Sequence, residues 1–363
     1  MTGRRRRGPS PSREFIIRTL DDTVERCPAG NEERRPRSNG TATTSDPPEH
    51  RMTRETLVAG EALIDFIPGE RGALATVEAF SRQAGGAPAN VAVGLARLNR
   101  TPWFCTTLAT DAFGEHLATV LDREGIPDRF VNRAPDAQTA LAFVSHGRDA
   151  DREFTFYRQE TADRQFDTSG VGDGVLESVD VVVVGGVTLT VEPARSETFD
   201  LVERALAAGC RVCFDPNVRP ELWEVDPATT MRRMLSMTDV LKGSREDLGG
   251  DTLPTDPEEL LDAGPDAVFL TAGDAGARLI ADEGSPWGRG EWRHDGYRVD
   301  DVVDTTGAGD AFTAGVVAGL VDGAAPEELL GFANAVAAAS TRSEGAMTAL
   351  PDREAVQRVR EGR

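Results

Sequence analysis

Residues 304–310 read Asp-Thr-Thr-Gly-Ala-Gly-Asp, a polar turn with two glycines that runs directly into the apolar segment 311–320. Because this segment is almost wholly apolar and of helical length, we expect the turn to form the N-terminus of a buried helix. The first N–H groups of a helix lack intrahelical partners and carry the positive end of its dipole, and Gly307 and Gly309 let the backbone approach a bound group closely. The stretch therefore predicts an anion site, with phosphate as its natural ligand.

Asp310 ends this turn, where a second negative charge would repel a phosphate. The repulsion makes sense if the carboxylate accepts a proton from a nucleophile that attacks the phosphate. We interpret Asp310 as a general base and the backbone at Gly307, Ala308 and Gly309 as the catalytic anion site. The alternative for an isolated G-x-G-D is an Asp that only caps the helix.

The composition excludes several classes of partner. With 61 acidic and 40 basic residues the formal net charge is −21, which argues against nucleic acids and anionic membranes as partners. Lys242 is the only lysine, and an acidic surplus of this kind suggests a cytoplasm of high salt, where screening removes the self-repulsion. A hydrophobic signal segment and a run of 18 apolar residues are both absent, so we expect a cytoplasmic protein.

The spacing of Cys210 and Cys213 matches C-x-x-C redox and zinc sites, but no second pair accompanies it. Cys213 also leads into a strand-like segment, which favours buried strand residues over a metal or redox site.

Residues 1–53 are rich in Arg, Pro, Ser and Thr and have no sustained apolar period, so they predict a disordered extension. A basic tail could target the protein or bind an acidic partner. The alternative is that translation begins at Met52 and the upstream residues are a start-site artefact; whether 1–51 are translated is left open.

Two long motifs resemble those of one family, the PfkB (ribokinase-like) carbohydrate kinases. The stretch 304–312 is similar to the second signature of the family, and 85–92, Gly-Gly-Ala-Pro-Ala-Asn-Val-Ala, to its first. The resemblance covers residues 57–351. It implies an α/β fold with a mainly parallel central sheet flanked by helices and a small β-sheet lid, in a kinase domain over 54–353 followed by a C-terminal tail over 354–363.

The resemblance also implies a sugar site. The opening Gly-Glu-Ala-Leu-Ile-Asp-Phe resembles the fructokinase branch, whose Asp at this position, here Asp65, binds sugar hydroxyls; the alternative role of Asp65 is a turn or cap residue. The first signature implies that Gly85, Gly86 and Asn90 hold the sugar. An amide and a carboxylate suit the mixed donors and acceptors of a polyol.

Residues 67–82 and 139–158 form the predicted lid. The segments 140–144 and 154–158 flank a turn at 147–151 and predict a hairpin. Arg158 resembles the lid arginine that reaches the substrate; the alternative is a solvated arginine at the end of a hairpin. Lid-mediated homodimers occur in the family, so a homodimer is a possible assembly.

The stretch 215–223, Asp-Pro-Asn-Val-Arg-Pro-Glu-Leu-Trp, follows a predicted strand and resembles the fructokinase form of a family motif. The planar guanidinium of Arg219 can donate two parallel hydrogen bonds to phosphate oxygens, so we predict that Arg219 binds the transferring phosphate or the sugar. Asn217 is a predicted substrate-orienting residue, and Asp215 is expected to stabilise the turn.

Shorter motifs resemble the nucleotide side of the family. Ser244 and Asp247 replace the usual Asn and Glu of an N-x-x-E element, and Asp247 with Glu246 is the predicted water-mediated Mg²⁺ site. The loop 343–346 resembles one that closes a site for a monovalent cation such as K⁺. The residues expected to contact ATP are Ser244, Thr271, Gly273, Gly276, Gly307, Gly309 and Asn334.

The sequence contains no G-x-x-x-x-G-K-[ST] string, so phosphate binding must come from the turn at 307–310. The expectation is an Mg²⁺-dependent transfer of the ATP γ-phosphate to a small sugar, with fructose as first choice. A 2-keto-3-deoxygluconate kinase and a catalytically idle sugar-sensing relative are the alternatives. The sugar, and whether position 1 or 6 is phosphorylated, remain open.

Overall fold

A computed structural model describes residues 55–70, 72–146, 152–248 and 252–362, all within one compact unit that runs from Met52 to Arg363. The predicted N-terminal extension and the hairpin turn at 147–151 lie outside the described residues. Of the helices in these ranges, none is both long and apolar enough to cross a membrane.

The described strands are β1 (Thr56–Ala59), β2 (Leu63–Pro68), β3 (Phe80–Gly85), β4 (Trp103–Ala109), β5 (Val131–Ala134), β6 (Leu141–His146), β7 (Arg152–Tyr157), β8 (Val181–Gly185), β9 (Arg211–Asp215), β10 (Val240–Ser244), β11 (Ala267–Thr271), β12 (Ala277–Ala281) and β13 (Gly290–His294). The described α-helices are α1 (Ala87–Arg97), α2 (Ala112–Arg123), α3 (Asp173–Leu176), α4 (Ala194–Ala208), α5 (Pro227–Leu235), α6 (Pro257–Asp262), α7 (Ala308–Val321), α8 (Pro326–Ser340) and α9 (Arg353–Arg360).

Nine strands form the central sheet, in the order β13-β12-β11-β10-β9-β8-β1-β4-β5. The strands from β11 to β5 pair in parallel, and β12 and β13 add antiparallel at one edge. Helices cover both faces, and the four valines of β8 show why its run is continuous. Val181 and Val183 face the core under α1, α7 and α8, whereas Val182 and Val184 face the core under α4 and α5. The predicted α/β fold is confirmed.

A second sheet of four strands, in the order β3-β2-β6-β7, corresponds to the predicted lid and is hereafter called the small sheet. The hairpin pairs β2–β3 and β6–β7 are antiparallel, and β2 and β6 join them in parallel. The sheet begins at Leu63 and includes Gly85, so it is wider than the predicted segment 67–82. Asp65 therefore lies within the small sheet, in β2.

Helix α7 is the buried helix that the sequence predicted, and residues 311–320 are buried on every side. Small residues let its neighbours approach closely. A Cβ at Gly315 would lie 2.7 Å from the Ala333 Cα of α8, and a Cβ at Gly94 of α1 would lie 2.9 Å from the Ala314 Cβ. The two flanking helices therefore fix the position of the α7 N-terminus.

The segment predicted as a C-terminal tail is instead largely helical. Most of it lies in α9, whose Val356 and Val359 are 1% and 8% exposed and belong to the core under α7 and α8. The prediction missed the helix because only two apolar side chains, three residues apart, mark its buried face.

We expect Val356→Ala to lower the free energy of unfolding by about 1–3 kcal/mol, because it removes two buried methyl groups and leaves a cavity. The matched control Arg358→Ala changes an exposed side chain of the same helix and should stay within about 0.5 kcal/mol of wild type. Denaturant unfolding measures both. Equal effects of the two substitutions would contradict the packing of α9.

Candidate active site

The predicted anion turn caps helix α7. Gly307 is the N-cap residue with φ +75°, and a Cβ there would lie 2.8 Å from the Ala346 Cβ, so both the backbone conformation and the packing call for glycine. The Ala308 N–H donates to the Thr305 carbonyl at 3.2 Å, whereas the N–H groups of Gly309 and Asp310 have no backbone acceptor among the described residues. Two amides at the positive end of a buried helix thus point at the place where an anion would bind.

Asp304 braces the loop that leads into this turn. One of its carboxylate oxygens accepts from the Thr306 N–H at 2.9 Å and from the Thr306 hydroxyl at 2.7 Å. The other accepts from the Gly345 N–H at 2.9 Å. The first acid of the motif therefore holds the loop in shape and ties it to the 343–346 loop.

Asp310 lies in the first turn of α7, half-buried, and faces α1. Its Oδ2 accepts a hydrogen bond of 2.7 Å from the Asn90 Nδ2, while the Asn90 Oδ1 is buried without a partner among the described residues. The pKa of Asp310 is raised to about 6, and burial is the largest cause. The nearby Asp215 also raises it. The hydrogen bond from Asn90 and the charges of Lys242 and Arg219 act in the opposite direction. The carboxylate is thus ionised at neutral pH but more basic than an exposed Asp.

Asp65 of β2 lies across from the glycines of the first signature. A Cβ at Gly85 would collide with the Asp65 carboxylate, so this glycine makes room for the acid. Gly86 has φ +101° and caps α1. Burial and then the nearby Asp310 raise the pKa of Asp65 to about 7, although Arg219 opposes them. The structure thus brings Asp65, Gly85, Asn90 and Asp310 together, and their role in holding a sugar stays a prediction.

Glu61 is a buried acid in the same region to which the sequence analysis assigned no role. It is 2% exposed, and its Oε2 has no partner among the described residues. Burial raises the pKa of Glu61 to about 8; its own backbone and Arg158 oppose the rise, and Asp163 and Asp310 add to it. Its signal in the sequence was a lone acid among apolar residues directly after β1.

Arg158 follows β7 and is 7% exposed, which excludes the alternative of a solvated arginine. Its Nε donates to the Asp163 Oδ2 at 2.5 Å, and its Nη1 donates to the Thr190 hydroxyl at 3.2 Å. The Arg158 Nη2 and the Asp163 Oδ1 are buried without partners in the part of the chain that the structure describes. Asp163 is thus a second acid that the sequence analysis missed.

The loop after β9 carries Arg219, whose guanidinium lies 5.4 Å from the centre of the Phe154 ring in the small sheet and donates to the Val218 carbonyl at 2.9 Å. Asn217 adopts φ +39° in this loop. Asp215 does not merely stabilise the turn: its carboxylate pairs with the Lys242 Nζ at 3.2 Å and accepts from the Thr313 hydroxyl at 2.8 Å. Because these partners come from β10 and α7, Asp215 joins three elements beneath the site.

Asp247 is buried and already engaged by neutral donors. Its Oδ2 accepts from the N–H and hydroxyl of Ser244 at 2.9 and 2.7 Å, and its Oδ1 accepts from the Val218 N–H at 2.9 Å. Glu246 is exposed. Among the described residues, no group of three His, Cys, Asp or Glu side chains could hold a metal ion. The water-mediated Mg²⁺ site at Asp247 and Glu246 stays a prediction.

Thr271 ends β11 and lines a cavity of about 420 Å³ together with Arg245, Arg278 and Arg293. Gly273 and Gly276 follow with φ of +57° and +82°, and a Cβ at Gly276 would collide with the His294 backbone. Packing alone therefore explains why a glycine occupies position 276.

Asn334 is buried in α8, where its Nδ2 donates to the Leu330 carbonyl of the same helix at 2.8 Å. Its place beside the nucleotide stays a prediction. Cys105, Cys210 and Cys213 are buried free thiols; Cys105 and Cys213 lie in β4 and β9, whereas Cys210 lies directly before β9.

Comparisons with known proteins agree on the family. The sequence profile described as "pfkB family carbohydrate kinase" matches residues 53–353. The protein named "Probable fructokinase-6, chloroplastic" from Arabidopsis thaliana is 36% identical over 314 residues, which cover 82% of this chain and 80% of that protein.

Two solved structures are similar over most of the chain. Fructokinase with bound ATP from Xylella fastidiosa has a TM-score of 0.74 and 31% identity, covering 85% of this chain and 99% of that one. A fructokinase double mutant from Vibrio cholerae O395, in a form with fructose, ADP and potassium ion bound, has a TM-score of 0.69 and 28% identity, covering 84% and 97%.

The raised pKa of Glu61 predicts a pH-dependent stability. Between its ordinary value of 4.5 and about 8, the folded protein keeps a proton that the unfolded chain releases, so raising the pH through this window destabilises the fold. Glu61→Gln removes that term. We expect the free energy of unfolding of the variant, relative to wild type, to rise by about 3–5 kcal/mol from pH 4.5 to pH 8. Unfolding curves of both proteins, measured across this range, test the assignment. The same dependence of the unfolding free energy on pH in wild type and variant would disprove it.

Proposed function

The chain belongs to the pfkB family of carbohydrate kinases, and from this premise we propose that it is an ATP-dependent kinase that phosphorylates fructose. One observation carries the chemistry. A basic carboxylate, Asp310, is fixed by Asn90 at 2.7 Å beside the two amides at the start of α7 that have no backbone acceptor among the described residues.

The sugar site in this proposal combines Asp65, Gly85, Gly86, Asn90 and Arg158, with Asn217 orienting the substrate. Three buried atoms in this region have no partner among the described residues: the Asn90 Oδ1, the Glu61 Oε2 and the Arg158 Nη2. Hydroxyl groups can donate to the oxygens and accept from the nitrogen, so a polyol would satisfy all three.

Fructose is favoured over 2-keto-3-deoxygluconate because the guanidinium of Arg158 is already paired with Asp163 at 2.5 Å. A sugar acid would bring a further carboxylate close to Asp310, which is ionised at neutral pH. Repulsion at low dielectric would then oppose its binding. The fructokinase names of the relatives support the same choice.

In the proposed reaction, Asp310 accepts the proton of a primary sugar hydroxyl as that oxygen attacks the γ-phosphate of ATP. The amides of the first turn of α7 and Arg219 receive the developing phosphate charge. Asp247 and Glu246 would face a bound Mg²⁺ ion through water, and the ion would neutralise phosphate oxygens. Closure of the small sheet would exclude water from the transfer.

The nucleotide would lie along Ser244, Thr271, Gly273, Gly276, Gly307, Gly309 and Asn334. The potassium ion of the Vibrio cholerae structure supports a monovalent cation near the 343–346 loop. We further propose a cytoplasmic protein adapted to high salt, and a homodimer through the small sheet as a candidate assembly. The composition supports the first of these and the family resemblance the second.

We expect fructose to give the highest kcat/KM in an assay of ADP release against ketoses, aldoses and keto-sugar acids, each run at low and at molar KCl. NMR of the product would identify the phosphorylated position. Preferred turnover of a keto-sugar acid would select the first alternative, and a folded protein that binds sugar without ADP release would select the sugar-sensing alternative.

We expect Asp310→Asn to lower kcat by about 10²-fold or more, because the amide keeps the shape but cannot take a proton. The steady-state rate with fructose and ATP measures this loss, and fructose binding by calorimetry serves as the control for an intact site. A variant with unchanged turnover would contradict the assignment of Asp310 as the general base.

A further inference from the structure

Lys242 is the only lysine of the chain and lies in the middle of the central sheet. It belongs to β10, between β9 and β11, and is 5% exposed. A lysine is seldom buried unless it is paired. Both oxygens of Asp215 lie within reach of its Nζ, at 3.2 and 3.3 Å.

The ion pair is connected to the first turn of α7. The Asp215 Oδ2 also accepts from the Thr313 hydroxyl at 2.8 Å, and this hydroxyl lies 3.1 Å from the Gly309 carbonyl. Three elements, β9, β10 and α7, therefore meet at one ammonium and one carboxylate.

Gly309 shows how close the ammonium is to the anion turn. A Cβ at this position would lie 3.2 Å from the Lys242 Nζ, so the absence of a side chain lets the charge approach the backbone of the turn. The motif alone indicates a contact between this glycine and a bound phosphate. In the structure its neighbour is the lysine.

The surrounding charges keep this lysine protonated. Burial lowers its pKa, but the carboxylates of Asp215, Asp247 and Asp310 outweigh burial, and the pKa lies above its ordinary value. The ammonium is therefore a fixed positive charge on the sheet side of the helix start.

We propose that Lys242, held by Asp215, is a positioning residue for phosphoryl transfer: it sets the first turn of α7 against the sheet and places a positive charge behind the amides that receive the phosphate. This inference rests on the proposed kinase function. The ammonium adds to the helix dipole at the point where negative charge gathers during transfer, and its burial protects it from screening by salt.

A spectroscopic test follows from the single lysine. Protein labelled with lysine that carries ¹³C only at the ε carbon gives a single lysine side-chain signal. We expect a non-hydrolysable ATP analogue with Mg²⁺ to shift this signal clearly, and fructose alone to leave it nearly in place. A signal that ignores the ATP analogue would overturn the proposal, whichever sugar the enzyme prefers.

A kinetic test removes the pair. Lys242→Met alone leaves the buried carboxylate of Asp215 without its partner and could prevent folding. The test variant is therefore the double substitution Asp215→Asn with Lys242→Met, which leaves no unpaired charge. We expect kcat to fall at least tenfold while KM for fructose changes less than threefold, because the sugar contacts are intact.

Thr238→Val is the matched control, since it removes a buried hydroxyl that donates to the Met234 carbonyl at 2.8 Å, before the start of β10 and opposite to the end that carries Ser244. It should leave kcat unchanged. A folded double variant with wild-type kcat would overturn the proposal. Absence of any sugar phosphorylation by the wild-type enzyme would instead refute the proposed function. The NMR experiment would still show whether Lys242 senses a bound ATP analogue.

Discussion

The close packing of α7 is the constraint on which the site depends. Its small-residue surface lets α1 approach at Gly94 and α8 approach at Gly315, so the helix cannot shift along the sheet without collisions. Asn90 of α1 then meets Asp310 of α7 at 2.7 Å, across 220 positions of sequence. This precision matters for the proposed base, because a misplacement of about 1 Å can cost two orders of magnitude in rate.

Electrostatics is the second theme of the site. Glu61, Asp65 and Asp310 are crowded into a region of low dielectric, where burial is the largest cause of their raised pKa values. Such crowding destabilises a fold and is expected mainly at functional sites. Here burial makes Asp310 a stronger base than an exposed Asp.

Pattern reasoning located the parts of the site that are encoded locally. The glycine turn before an apolar helix identified the start of α7, and the Gly-Gly-Ala-Pro motif identified the start of α1. It could not find Asp163 or assign Glu61, because a buried acid and a solvated acid look alike in sequence. It also mistook α9 for a tail, since the burial of Val356 depends on α7 and α8 and not on its neighbours in the chain.

The sequence by itself determined the fold class and the family and predicted an anion site at the start of α7, because these follow from short motifs whose backbone conformation is fixed by nearby glycines and apolar residues. Only the tertiary structure decided what each charged side chain faces. Asp215 was predicted to be a turn residue and Lys242 had no assigned partner, yet they form a buried ion pair beneath the turn at 307–310. Contacts between β9, β10 and α7 join residues 27 and 98 positions apart, and such distances depend on how the sheet orders its strands rather than on any local pattern.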